Sequence, residues 1–297
     1  MDPFSSEGEL VNIHTAFAQA QYTSVLDDYN SSDFAESNRL PVQILQYRAQ
    51  CELGQCDEVL SSISNGDAQK TPDLAAVRAL AKYLKNGSED AVAEAEKLAE
   101  TQADNLSVQL LCGTVLARAG KADQAVSLLS RHTGSLDAVA LITQIQLQQN
   151  RTDLALQQAK SARSFAQDAL LVNLAESWIG MRRGGEEYQK AFYVFEELAQ
   201  APSSQTATSL VAQAVAEMHM GRTEEADAAL ARALELEPES RAALANKVAL
   251  DAMVGRDGEE TRGKLEGVDK EHVLLADMMA KREAFQEACK KYSPKFS

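Results

Sequence analysis

A turn signal recurs along the chain at Gln21, Gly54, Gly87, Gly120, Asn150, Gly184, Gly221 and Gly255, with steps of 33, 33, 33, 30, 34, 37 and 34 residues. Each marker lies between two stretches whose apolar residues repeat with helical spacing, such as Leu106, Leu110, Leu111 and Val115 before Gly120, and Ala125, Leu128 and Leu129 after it. A period near 34 built from helix, tight turn and helix is the signature of tetratricopeptide-type repeats. The chain is therefore expected to be all-α, a curved α-solenoid in which each repeat packs on its neighbours. Strand-like alternation is absent, and residues 1–270 are assigned to the repeats. A helix over roughly His272 to Tyr292, carrying Leu275, Met278, Met279, Ala284, Phe285 and Cys289, is expected to cap the open end, so that residues 271–297 form a capping helix and short tail.

Prolines and small residues refine the register. Pro41, Pro72, Pro202 and Pro238 are placed at the starts of first helices, where a missing amide proton is harmless. No proline is expected inside a helix. The clearest repeat runs from Leu210 through Gly221 to Pro238, with Ala214, Ala226, Leu230 and Ala233 at the positions where paired helices interlock. Gly255, Gly258, Gly263 and Gly267 predict a loose, frayed penultimate pair.

Charge and chemistry narrow the function. Twenty-nine Lys and Arg face 44 Asp and Glu, a formal charge of −15, which opposes nucleic acid and anionic lipid. The carboxylates are spread along the chain, as solvated helix faces require. No stretch is apolar for long enough to span a bilayer, and the start lacks a basic region followed by an apolar core. The expectation is a soluble, cytosolic protein with unglycosylated sequons at Asn30, Asn86, Asn105 and Asn150. Cys51, Cys56, Cys112 and Cys289 form no metal spacing and are expected as reduced thiols. His14, His132, His219 and His272 stand apart from one another. Gly120-Lys121-Ala122 lacks the upstream glycine and the hydroxyl of a phosphate loop, and Gly184-Gly185 has no preceding strand. No catalytic residue, cofactor or metal site is assigned.

What the register offers is a surface. Projected inward from the first helices, it predicts a mainly apolar row of Val77, Ala81, Leu84, Leu110, Leu147, Leu174, Trp178, Met181, Val211, Val215 and Met218, suited to an extended apolar protein segment. Trp178, the single tryptophan, is the expected anchor. The alternative is a co-chaperone or adaptor that captures acidic peptide termini through Arg118 and Arg182.

Three stretches are more specific than a repeat. They are Met1-Asp2-Pro3-Phe4, the run Gln144 to Ala155, and Leu174 to Ile179 continuing through Gly184-Gly185-Glu186-Glu187-Tyr188 to Glu197. Together they make the chain resemble the coatomer epsilon-subunit family over essentially its whole length. The resemblance implies a non-enzymatic subunit of the COPI vesicle coat, cytoplasmic and peripheral at Golgi membranes. It would bind the carboxyl-terminal region of the alpha subunit in Golgi-to-ER retrograde and intra-Golgi transport, with indirect membrane association. The basic tail, Lys290-Lys291-Tyr292-Ser293-Pro294-Lys295-Phe296, departs from the family's acidic ending.

Overall fold

Seven of the eight markers take a left-handed backbone: Gly54, Gly87, Gly120, Asn150, Gly184, Gly221 and Gly255 have φ between 59° and 79°. At the eighth the conformation falls one residue early, on Ala20 with φ 59° rather than on Gln21. At six of these turns the residue after the left-handed one donates its amide to a carbonyl five positions back. The bonds are Gln21 to Ala16, Gln55 to Gln50, Lys121 to Leu116, Arg151 to Gln146, Arg222 to Glu217 and Arg256 to Asp251, at 2.8–2.9 Å. This closes the end of each first helix and sends the chain back along it as the second.

A computed structural model describes residues 6–292. The Met1-Asp2-Pro3-Phe4 motif and the tail from Ser293 lie outside the described residues. The helices are α1 (Ser6–Glu9), α2 (Val11–Ala18), α3 (Tyr22–Asp27), α4 (Glu36–Glu52), α5 (Cys56–Ser62), α6 (Asn65–Lys70), α7 (Pro72–Asn86), α8 (Glu89–Thr101), α9 (Leu106–Arg118), α10 (Ala122–Leu129), α11 (Leu136–Gln148), α12 (Thr152–Arg163), α13 (Leu170–Arg183), α14 (Glu187–Gln200), α15 (Ala207–His219), α16 (Thr223–Leu236), α17 (Arg241–Met253), α18 (Glu259–Val268) and α19 (Val273–Lys291). No strand occurs among the described residues. The chain divides into two compact units, Met1–Val194 and Phe195–Ser297.

In the first unit the repeats pair α2 with α3, α4 with α5, α7 with α8, α9 with α10 and α11 with α12, and α13 leads into α14. Successive first helices α7, α9, α11 and α13 pack side by side. The main core gathers Val77, Leu80, Val108, Leu111, Val115, Leu116, Leu129 and Ile142, all at most 5 % exposed. In the second unit Leu210, Ala214, Ala226, Leu230, Ala233 and Leu250 form the core of α15, α16 and α17. Ala214, Ala226 and Ala233 are fully buried, as the interlocking of paired helices requires.

Several local expectations change. Pro72 is the first residue of α7, but Pro202 and Pro238 lie in the connections ahead of α15 and α17. Pro41 sits inside α4, which begins at Glu36. The Glu9 carboxylate accepts the Ala35 amide at 3.1 Å and the Asn38 side-chain amide, holding the N-terminal end of that helix ahead of the proline. Despite its glycines α18 is a continuous helix, anchored by fully buried Leu265 against Leu244 and Leu275. In α19 only the start is covered: Leu275 is buried, but every residue from Ala276 to Tyr292 is exposed. No later described element covers the apolar side chains of the remaining turns.

Candidate partner-binding surface

The predicted inward row separates by burial into two sets. Val77, Leu110, Leu147, Leu174, Val211 and Met218 are at most 9 % exposed, and Ala81 is fully buried. Val77 and Leu110 belong to the main core, Leu147 packs with Ala155, Ala159 and Ile179, and Val211 and Met218 join the core of the second unit. These side chains fill the spaces between neighbouring helices, so another protein reaches them only if the repeats repack. An apolar stripe on a helix reports burial and says little about whether a neighbouring helix or a separate chain does the covering. Leu84, Trp178, Met181 and Val215 are half-buried and remain available at the surface. Trp178 lies at the edge of the Leu147 cluster, as does Leu156.

The sequence row missed a folded-back element in the first unit. Helix α2 touches α13 as well as α4 and α3. His14 Nδ1 on α2 lies 3.9 Å from a carboxylate oxygen of Asp137, in the first turn of α11, and Arg48 on α4 lies 3.7 Å from the other oxygen. The Arg48 guanidinium also covers the ring of Phe17 at 4.3 Å, and Phe17 meets Tyr22 edge to face at 5.4 Å. Burial pushes the Tyr22 hydroxyl up to about 12, helped by the charge of Glu52 and opposed by Arg48 and Arg118. Burial likewise lowers the His14 pKa, with Asp137 acting against it and Arg48 with it. The first-helix face near α2 is therefore polar and aromatic, and the chain's own amino-terminal hairpin lies on it. The contact joins residues over a hundred positions apart, and no periodic signal reports it.

Of the two cations proposed for peptide capture, Arg118 is exposed at the end of α9 and Arg182 is tied into the fold, as are cations outside that proposal. Arg182 donates to the side-chain carbonyl of Asn150 and to the Leu147 carbonyl at 3.3 Å, fastening the end of α13 to the preceding turn. Arg163 binds both carboxylate oxygens of Glu176 at 2.6 and 2.7 Å, together with the Asn173 side chain and the Gln167 carbonyl. In the second unit Lys247 bridges Asp227 and buried Asp251 at 2.5 and 3.1 Å, while Arg256 reaches Asp227 at 2.6 Å. Their positive charges hold the Asp227 carboxyl below its usual range, with the Lys247 hydrogen bond the largest cause. These groups brace successive helices rather than converge on a cleft. Among the described residues no cluster of three His, Cys, Asp or Glu side chains has the arrangement of a metal site.

Glu217 is the one acidic side chain of the predicted row's helices that is deeply buried, at 3 % exposure in the last turn of α15. One oxygen accepts from Gln213 Nε2 at 2.9 Å and the other has no hydrogen-bond partner. Burial raises its pKa, the Gln213 bond lowers it, and Glu225 and Glu196 raise it further against Arg222. Cys51, Cys56 and Cys112 are buried, and burial raises the Cys51 and Cys112 thiols, which suppresses the reactive thiolate. No described helix is long and apolar enough to cross a membrane.

Known proteins match this arrangement at two levels. The sequence model of the family described as Coatomer epsilon subunit matches residues 6–293. Coatomer subunit epsilon-1 of Arabidopsis thaliana is 27% identical over 301 residues, covering 99% of this chain and 100% of that protein. Coatomer subunit epsilon-2 of Oryza sativa subsp. indica is 31% identical over 257 residues, 84% of each chain. Probable coatomer subunit epsilon of Schizosaccharomyces pombe is 31% identical over 85% of this chain and 83% of that one. Among solved structures, a tetratricopeptide repeat protein from Parabacteroides merdae aligns with a TM-score of 0.59 at 10% identity, covering 88% of this chain and 98% of that one. The Cut9-Hcn1 hetero-tetramer of the APC/C aligns with a TM-score of 0.59 at 16% identity, covering 91% of this chain and 52% of the matched chain. At these identities the structural likeness speaks for the tetratricopeptide fold alone.

Proposed function

The chain belongs to the coatomer epsilon-subunit family, and on that premise we propose that it is a non-enzymatic structural subunit of the COPI coat that holds the carboxyl-terminal region of the alpha subunit. The observation that carries the reading is the family match over residues 6–293, because it spans the repeats and the specific run around Trp178 together. In this role the protein works in Golgi-to-ER retrograde and intra-Golgi transport, on the cytoplasmic side of Golgi membranes and coated vesicles. Its membrane association is indirect, through the coat.

The half-buried aromatic Trp178 and its neighbour Met181, one turn apart on α13, are the side chains best suited to anchor the partner. Both offer apolar surface without requiring the core to open. The test is co-expression with the carboxyl-terminal part of an alpha-type coat subunit, followed by pull-down and size-exclusion chromatography. A stable complex is expected, with Trp178→Ala or Met181→Glu weakening it by about tenfold or more. Failure to form the complex would overturn the partner assignment. A complex indifferent to both substitutions would move the contact elsewhere and leave the family unchanged.

A further inference from the structure

We propose that the exposed face of α19 is a docking surface for an acidic amphipathic helix of another protein. The helix is anchored only at its start, where Leu275 packs with Leu244 and Leu265 and Leu274 lies alongside. Beyond that turn Met278, Met279, Phe285 and Tyr292 are 38, 65, 69 and 64 % exposed. Helices in proteins draw most of their stability from packing of an amphipathic face, so an apolar face left uncovered along a helix gains support from whatever covers it.

The spacing defines what kind of element fits. Leu275, Met278, Arg282, Phe285, Cys289 and Tyr292 follow one another at alternating intervals of three and four residues, the seam of a helix that packs along a second helix. Charge selects the occupant. Arg282 stands in the middle of the seam and makes no ion pair among the described residues, and Lys281 borders it, bound to Asp277 at 2.9 Å. By helical geometry Glu283 and Glu287 project from the other side. A guanidinium enclosed in an apolar interface needs a carboxylate opposite it, so the complementary helix carries Asp or Glu within its own apolar seam.

Two other occupants fit worse. A second copy would bring two Arg282 side chains into one seam. An anionic bilayer, being extended, would meet beyond the seam a chain of formal charge −15, whereas a single helix lying along the seam meets Arg282 and Lys281 first. The surface uses none of the residues assigned to the coat contact, so the two readings fail independently.

The test uses the full chain and two synthetic, fluorescein-labelled three-heptad peptides. Both carry Leu at the seam positions except for one central residue, Glu in one and Lys in the other. Fluorescence anisotropy is expected to show the Glu peptide binding about tenfold more tightly than the Lys peptide. Arg282→Glu should invert that preference, and Phe285→Asp should abolish binding while circular dichroism confirms an intact repeat array. Equal affinities, or binding that survives Phe285→Asp, would overturn the proposal. So would a dimer in sedimentation velocity that Phe285→Asp dissolves, or flotation with phosphatidylserine vesicles in place of peptide binding.

Discussion

Ala20 and Gly221 share one backbone conformation two hundred residues apart, with φ of 59° and 76° at equivalent turns between paired helices. Alanine pays for this region through contact of its Cβ with the following carbonyl, and glycine does not. Ala20→Gly is therefore expected to stabilise the protein by about 0.5–1 kcal/mol, and Gly221→Ala to destabilise it by about 1 kcal/mol. A Cβ at Gly221 would meet nothing within 4 Å, so the loss isolates the backbone contribution. Urea denaturation of both variants measures it, and equal and opposite signs would show that the turns, not their side chains, set the register.

Glycines inside helices behave differently according to their neighbours. At Gly180 in α13 a Cβ would lie 3.2 Å from the backbone oxygen of Glu187, which is fixed at the start of α14. At Gly263 in α18 it would meet nothing within 4 Å. Helix propensity favours alanine at both by up to about 1 kcal/mol. The crowding reverses the sign at Gly180, so Gly180→Ala is expected to cost about 1–2 kcal/mol while Gly263→Ala gains about 0.5–1 kcal/mol. Thermal unfolding of the two variants should shift in opposite directions.

Glu217 gives the fold a defined pH signature. Its folded pKa is raised above the unfolded value near 4.5, chiefly by burial, so the native state binds the extra proton in the interval above 4.5. Its contribution to stability is present at lower pH and is lost as the pH rises through the folded pKa. Glu217→Gln keeps the acceptor for Gln213 and removes the buried charge. It is expected to stabilise the protein by on the order of 1 kcal/mol at neutral pH, with the gain shrinking toward pH 4.5. Denaturant titrations of both proteins at pH 5 and pH 7.5 test the sign.

The repeat was legible because it depends on local chemistry: a left-handed turn every 34 residues or so, small residues where helices interlock, and apolar residues at helical spacing. Gln21 was misread by one place because Ala20 carries no glycine-like signal for its conformation. The surface was less legible for a different reason. Val77, Leu110 and Met218 look identical in sequence whether they line a groove or the space between two helices, and only packing tells them apart. Trp178 stays half-buried because it lies at the edge of a core cluster, and Met181 one turn later is half-buried too, a distinction finer than periodicity. Pro41 was placed at a helix start because the carboxylate that holds the earlier turn, Glu9, comes from another helix. The partnership of His14, Arg48 and Asp137 was invisible for the same reason, since nothing local links positions 14 and 137.

That partnership yields the last prediction. Both ion pairs at Asp137 are longer than 3.5 Å and partly exposed, so their worth to global stability is below about 1 kcal/mol. Their effect should instead be local, on the docking of α2 and α3. Asp137→Asn is expected to speed hydrogen exchange in residues 11–27 while leaving the unfolding midpoint nearly unchanged. His14 adds a pH dependence whose sign follows from its lowered pKa. The detached hairpin takes up a proton near the ordinary value of 6.5, whereas the docked one resists it because of burial, so docking weakens as the pH falls below 6.5. Asp137 is the group that opposes this shift, and Asp137→Asn should therefore make exchange in the hairpin more sensitive to acid. Exchange measured by mass spectrometry at pH 5.5 and 7.5, corrected for intrinsic rates, distinguishes the cases. The measurement is best made in a His132→Gln background, because burial also lowers the His132 pKa and its ring accepts the Ser135 amide at the start of α11. Tighter docking at pH 5.5 would mean that the Asp137 attraction outweighs desolvation, and that the amino-terminal hairpin closes on acidification rather than loosening.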